Sequence, residues 1–165
     1  MKENKTRRIT QYGLLVALAL ILSYLEAQLP VFFAVPGMKL GLTNVVVLLA
    51  LYCMGAKSAL AVNFVRIALV SILFGNGMSF WYSLAGGLLS LAFMFLLEKT
   101  KLFSPVGVSM AGGVMHNVGQ VTVAALVVET GKIYLYLPVL SVTGLITGTI
   151  LGVAAVLILK RLKRV

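Results

Sequence analysis

The sequence predicts an all-α membrane protein, a six-transmembrane-helix bundle with its N- and C-termini cytoplasmic. Three observations predict it. Of the 165 residues, 61% are apolar, and the mean hydropathy is +1.06. Only 11% are charged, against about 25% in ordinary soluble domains. The basic residues collect at the two ends and in short connections. At about 20 residues per crossing, the length accommodates six spans and short loops, so residues 1–165 read as a single transmembrane domain.

The first apolar segment, Ile9–Leu29, follows a basic start of Lys2, Lys5, Arg7 and Arg8. It is too long for a secretion signal and lacks a small-x-small cleavage site, so it reads as an uncleaved first helix. Breakers run from Pro30 to Gly41. The second segment, Leu40–Met54, is short for a span and reads as tilted, or as starting deep in the outer interface. Gly55-Ala56-Lys57 separates it from Ser58–Phe74, and Gly75-Asn76-Gly77 separates that from Ser79–Leu97. Glu98 to Ser104 precedes Pro105–Val128, and Glu129 to Lys132 precedes Ile133–Leu159.

Threading six spans from a cytoplasmic N-terminus puts Lys2, Lys5, Arg7, Arg8, Lys57, Lys99, Lys101, Lys160, Arg161, Lys163 and Arg164 inside. Only Lys39 and Lys132 fall outside, with Arg66 within a span. This bias is the positive-inside signature of a multi-pass plasma-membrane protein. The net charge of +10 then reads as topology and as attraction to anionic membrane lipids. No basic stripe interleaves with aromatics, so nucleic acid is not an expected partner.

The acids exclude more. All four are glutamates (Glu3, Glu26, Glu98, Glu129), and the chain has no aspartate. Aspartate-held magnesium for diphosphate chemistry is therefore impossible, and no Walker A pattern occurs. Cys53 stands alone, which excludes an internal disulfide and a multi-cysteine zinc site. No metal site, cofactor or catalytic residue is expected. Glu26 and His116 are the only pair that could serve as base and acid, and no nucleophile motif accompanies them.

Small residues recur at helical spacing: Gly144, Gly148 and Gly152; Ser83, Gly86 or Gly87, and Ser90; and Ser109, Gly112, Gly113, His116, Gln120 and Ala124. Such ridges let helices approach closely in lipid, and packing is their simplest explanation.

Ionisable groups inside a bilayer cost about 2.5–3.5 kcal/mol at mid-helix on insertion scales, so each needs a partner, water or a ligand. Arg66 lies midway along the third segment with Asn63 one turn before it. It either pairs with a ligand anion or with Glu26 and helix carbonyls. His116-Asn117-Val118-Gly119-Gln120 is the densest polar cluster, offering donors and acceptors for a head group or for interhelical contacts. The stretch Pro36-Gly37-Met38-Lys39-Leu40-Gly41-Leu42-Thr43-Asn44 reads as a re-entrant loop or lid, with Thr43 or Asn44 as a plain helix cap in the alternative. Counting at 1.5 Å per residue puts Glu26, Trp81 and Tyr82 at the outer rim, Gln120 in the outer half and His116 near the middle. Trp81, Tyr134 and Tyr136 fit equally well as interfacial anchors.

Several stretches resemble a known family: "PGMKLGLTNVVVLLALYCMGAKSAL", "RIALVSILFG", "SFWYSLAGGLLS" and "GVSMAGGVMHNVGQ", then "YLPVL" and "TGTILG". They resemble the Gx transporter family, also labelled heptaprenyl diphosphate synthase component I, in order along nearly the whole chain. That family is similar to the substrate-binding S components of energy-coupling-factor transporters. The resemblance implies an external ligand pocket, a transmembrane scaffold and two ATPase subunits. The scaffold is contacted through small residues on the first helix, where Gly13-xxx-Ala17 is the nearest candidate and Ala19 falls off register.

The expected function is capture of a small molecule from the outer side, with flavin, quinone or isoprenoid as cargo classes. Asn44, His116, Asn117 and Gln120 would hydrogen-bond its polar part, Arg66 would pair with an anionic group, and Trp81 and Tyr82 would line a ring or tail. Glu26 and Lys39 complete the substrate-binding set beneath the lid. The alternative is a non-catalytic accessory subunit of a polyprenyl diphosphate, menaquinone or extracytosolic electron-transfer system. Capture gives way to a plain assembly scaffold if His116, Asn117 and Gln120 point at different neighbours with no hollow between them.

Overall fold

The computed structural model describes residues 5–28, 39–75 and 77–162. Six α-helices follow in order: α1 (Lys5–Gln28), α2 (Asn44–Met54), α3 (Ala56–Leu73), α4 (Gly77–Thr100), α5 (Pro105–Val127) and α6 (Leu137–Leu162). A 3-10 turn over Gly131–Tyr136 leads into α6. Each lies where an apolar segment was expected, and punctuation explains the boundaries. Ser104 caps α5, its hydroxyl accepting from Gly107 N at 3.3 Å, and Pro105 occupies the first turn. Pro138, second residue of α6, has no N–H to give and stops the helix from starting at Ile133.

The six-span expectation is corrected at α2. Among the described residues, five helical stretches are long and apolar enough to cross a membrane, and α2 is not among them. It has 11 residues, about 16 Å at 1.5 Å per residue, roughly half a hydrocarbon core. Leu40 to Thr43 do not join it, because their backbone is held by other helices and Gly41 takes φ +82°. Every residue from Asn44 to Leu51 is buried. This uniformly apolar helix is therefore the core, packed against all five others. Apolarity on every face says "buried", and it does not distinguish lipid from protein.

Lipid-type surface lies on the surrounding helices, where Leu14, Ile21, Phe64, Ile72, Leu96, Leu126, Ile150 and Leu157 are exposed. The two ends of the bundle differ. At one, Tyr12 of α1 donates to Ser58 of α3 at 2.8 Å, and Tyr52, Pro105, Leu159 and Lys160 border one cleft. This terminal face gathers the starts of α1, α3 and α5 and the ends of α2 and α6. At the far face, Tyr24 and Phe74 stack with ring centroids 5.5 Å apart. Gly55 alone joins α2 to α3 at φ +85°, a conformation glycine adopts without strain.

α5 is gripped from two sides. A Cβ on Gly144 would lie 2.8 Å from Gly113 O, one on Gly148 2.7 Å from Met110 Cα, and one on Gly152 2.8 Å from Val106 Cα. The ridge on α6 is thus backbone-to-backbone packing, as expected from the spacing. Gly119 does the same toward Ala85 and Gly86 on α4.

Candidate functional site

The site is built around the chain leading into α2. Gly41 O accepts from Asn44 N at 2.9 Å, closing a turn, and Gly41 itself enters that turn at φ +82°, a conformation glycine adopts without strain. This turn aims the amides of Gly41 and Leu42 at α1, where Glu26 Oε1 accepts from both, at 2.6 and 3.3 Å. A carboxylate at the N-terminal end of a helix is favoured by its unpaired amides and dipole. Glu26 therefore fastens the turn that leads into α2 from a different helix, and Thr43, at the cap position, makes no side-chain cap bond.

Two further helices hold the same segment. Gln120 of α5 accepts from Lys39 N at 2.8 Å and donates to Lys39 O at 2.9 Å. Arg66 of α3 donates Nη1 to Thr43 Oγ1 and Nε to Asn63 Oδ1, the latter at 3.0 Å. His116 lies against the turn: a Cβ on Gly41 would meet its Cδ2 at 3.1 Å and Asn44 Nδ2 at 2.9 Å. On its other side a Cβ on Gly86 would meet His116 Cε1 at 3.1 Å, so α4 also reaches the site.

The charges here are Glu26, Arg66 and Lys39. Arg66 and Lys39 act on the Glu26 carboxylate electrostatically, while its hydrogen bonds go to backbone amides. Burial holds the Lys39 ammonium below its ordinary pKa; Glu26 opposes that shift and Arg66 adds to it. Of the seven buried side-chain polar atoms without a hydrogen-bond partner among the described residues, four lie here: Asn44 Nδ2, Asn63 Nδ2, Arg66 Nη2 and His116 Nδ1. Each side chain is at most 6% exposed. Buried donors without partners are costly, at about 1–3 kcal/mol apiece.

The structure thus gathers Glu26, Lys39, Asn44, Arg66, His116 and Gln120. It does not bring Asn117, Tyr82 or Trp81 to them. Asn117 Nδ2 donates to Leu140 O at 2.6 Å, an oxygen shared with Thr143, and so ties α5 to α6. Tyr82 is buried in an apolar cluster with Val121, Ala124, Ile133 and Leu140. Trp81 is 56% exposed and meets Phe80 edge-on at 5.3 Å. His116 and Gln120 therefore face the segment before α2, and Asn117 faces α6. Gly13 and Ala17 are exposed on α1, with nothing near Gly13. Pro36, Gly37 and Met38 of the expected lid lie outside the described residues, as do Lys2, Glu3, Leu29, Pro30, Asn76, Lys163 and Arg164.

Sequence reasoning left two residues out of the binding set. Thr43 was weighed only as a cap and Asn63 only as a neighbour of Arg66. Their signal was present: each is a polar residue at a buried position in an apolar run, and Asn63 lies three residues from Arg66.

A model of the family described as heptaprenyl diphosphate synthase component I matches residues 15–158. Among solved structures, the S component of a bacterial ECF transporter aligns with a TM-score of 0.74 over 98% of each chain, at 17% sequence identity. At that identity the likeness is one of fold. No curated protein matches at a significant level.

Proposed function

The chain belongs to the heptaprenyl diphosphate synthase component I family, and from that premise we propose that it is a non-catalytic membrane protein that captures a small molecule at the far face of the bundle. One observation carries this: Glu26, Arg66 and Gln120, from three helices, converge on residues 39–43 and leave unspent donors beneath that segment. Polar groups held at such cost inside an apolar bundle are best explained by something that binds there. Asn44, Arg66 and His116 touch the ligand; Glu26, Lys39 and Gln120 hold the α1–α2 connection over it. Asn117 and Tyr82 serve the packing of α5, and Trp81 faces the membrane interface.

The distribution of basic residues supports an external far face and cytoplasmic termini. The shared fold supports a scaffold with ATPase subunits as the source of energy, with Gly13 and Ala17 on the exposed face of α1 as its contact. Flavins, quinones and isoprenoids are the cargo classes to try. The synthase name brings no prenyl transfer with it, because the chain has no aspartate to hold magnesium. Equilibrium binding of purified protein to flavins, vitamins, quinones and prenyl diphosphates is the test. Saturable binding to one of them is expected, and no saturable binding to any would overturn capture.

A second reading has its own support. Asn117 and Gln120 spend their amides inside the protein, as an accessory subunit of a prenyl-lipid or electron-transfer complex would. Such a subunit co-purifies with a synthase or redox partner, and His116→Ala weakens that assembly without changing small-molecule binding.

A further inference from the structure

The four unspent atoms are not scattered. Asn63 and Arg66 share the Nε–Oδ1 bond, so two of the residues with an unspent nitrogen are in direct contact. Arg66 Nη1 reaches Thr43, the residue before Asn44. Asn44 Nδ2 and the His116 ring border the same Gly41. All four belong to one locality at the α2 entrance, enclosed by α3, α4 and α5.

Three of the four are donors. Arg66 Nη2 and both amide nitrogens can only donate, while His116 gives its ring N–H to the Gly86 backbone and keeps Nδ1 as an acceptor. The charge balance agrees: Arg66 and Lys39 give two positive charges against the single carboxylate of Glu26, and that carboxylate is occupied by Gly41 and Leu42. Residues 27–38 carry no charged side chain that could complete the balance. Gly87 completes the enclosure, since a Cβ there would press within 3.2 Å of Asn63 Nδ2.

We propose that Asn44, Asn63 and Arg66, beside the His116 ring, form a subsite for a compact anionic oxygen group, a carboxylate or a phosphate, of the captured molecule. This rests on the capture reading and narrows it to anionic ligands. Arg66 offers the charged donor and the asparagines the neutral ones, an arrangement suited to an oxyanion.

Thermal unfolding of the purified protein in neutral detergent tests it, with sodium acetate and sodium phosphate titrated against sodium chloride at equal ionic strength. A saturable stabilisation of several degrees by one oxyanion beyond chloride is expected; the arm that responds identifies carboxylate or phosphate. Asn63→Asp keeps the acceptor for Arg66 Nε and installs a carboxylate where the unspent amide was. It should raise the melting temperature without added anion and abolish the response. Asn44→Leu removes one donor without adding charge and should weaken the response at least fivefold in midpoint. No oxyanion response in the parent protein, or an undiminished one in both variants, overturns the subsite. Saturable binding of an uncharged molecule that neither acetate nor phosphate disturbs leaves capture standing and removes the anionic assignment; absence of any binding removes both.

Discussion

Gln120 pairs with both main-chain groups of Lys39, accepting from its nitrogen at 2.8 Å and donating to its oxygen at 2.9 Å. A side-chain amide here does what a neighbouring strand does for a β-strand, and it fastens an irregular stretch of backbone to a membrane helix. Irregular backbone at this depth is tolerated only when protein satisfies it. Gln120→Leu should therefore cost about 1–3 kcal/mol through the stranded amide and carbonyl. Hydrogen exchange should rise at residues 39–43 and stay unchanged on α6; unaltered protection of residues 39–43 would contradict the pairing.

Glu26 separates charge from hydrogen bonding. Glu26→Gln retains an acceptor for Gly41 and Leu42 but gives up the favourable interaction with the end of α2, a loss of about 0.3–1 kcal/mol. Glu26→Leu abandons both amides and should cost several times more. Chemical denaturation of the two variants side by side measures the ratio, and equal losses would mean that Glu26 does not hold the turn before α2.

Lys39 predicts a pH dependence. Its folded pKa lies below the ordinary 10.5 because burial disfavours the ammonium. Below the folded pKa the group is charged in both states, and the fold bears the full penalty. Between the folded pKa and 10.5 the unfolded chain binds more protons, so stability rises with pH across that window. Lys39→Met removes the penalty. Its advantage over the parent protein should be constant from neutral pH to the foot of the window and vanish by its top. A pH-independent difference between the two melting curves would refute this.

The glycines of α5 and α6 are predicted to be intolerant. Gly144→Ala sets a methyl 2.8 Å from Gly113 O and 2.9 Å from Val114 N, and backbone cannot rotate away as a side chain can. A loss of about 1–3 kcal/mol follows. Gly13→Ala meets nothing within 4 Å and should gain up to about 1 kcal/mol from helix propensity. Melting temperatures in detergent distinguish the two; equal effects would mean that α5 and α6 do not touch through these glycines.

Asn117→Ala should loosen the α5–α6 contact by about 1 kcal/mol, the net worth of its bond to Leu140 O, and leave ligand affinity unchanged. Isothermal titration with whichever ligand the binding screen identifies checks this. A tenfold loss of affinity would return Asn117 to the binding set.

The helices were legible because their ends carry punctuation that acts locally: Ser104 with Pro105, Gly55, and the break before Gly77. The depth of α2 was not, since an all-apolar stretch has no face from which to read its surroundings. Within the site, the residue types were legible and their directions only partly so. His116 and Gln120, four residues apart, share a helix face and both meet the segment before α2. Asn117, a residue further on than His116, is turned by about 100° and meets α6. Trp81 and Tyr82 are adjacent on α4, and the same turn of about 100° leaves Trp81 exposed and Tyr82 in the core. Arg66 was expected to face either a ligand or Glu26; its hydrogen bonds go to Thr43 and Asn63, a choice made by tertiary packing.

α2 leaves only about 16 Å of aliphatic side chains between the segment that precedes it and the terminal face, close to half of an ordinary hydrocarbon slab. A voltage applied along the bundle would drop mainly over that thin partition, at whose edge Arg66 bonds Thr43. On the capture proposal, a charged solute at Asn44 and Arg66 would face one short greasy plug, tethered to its neighbour by a single glycine.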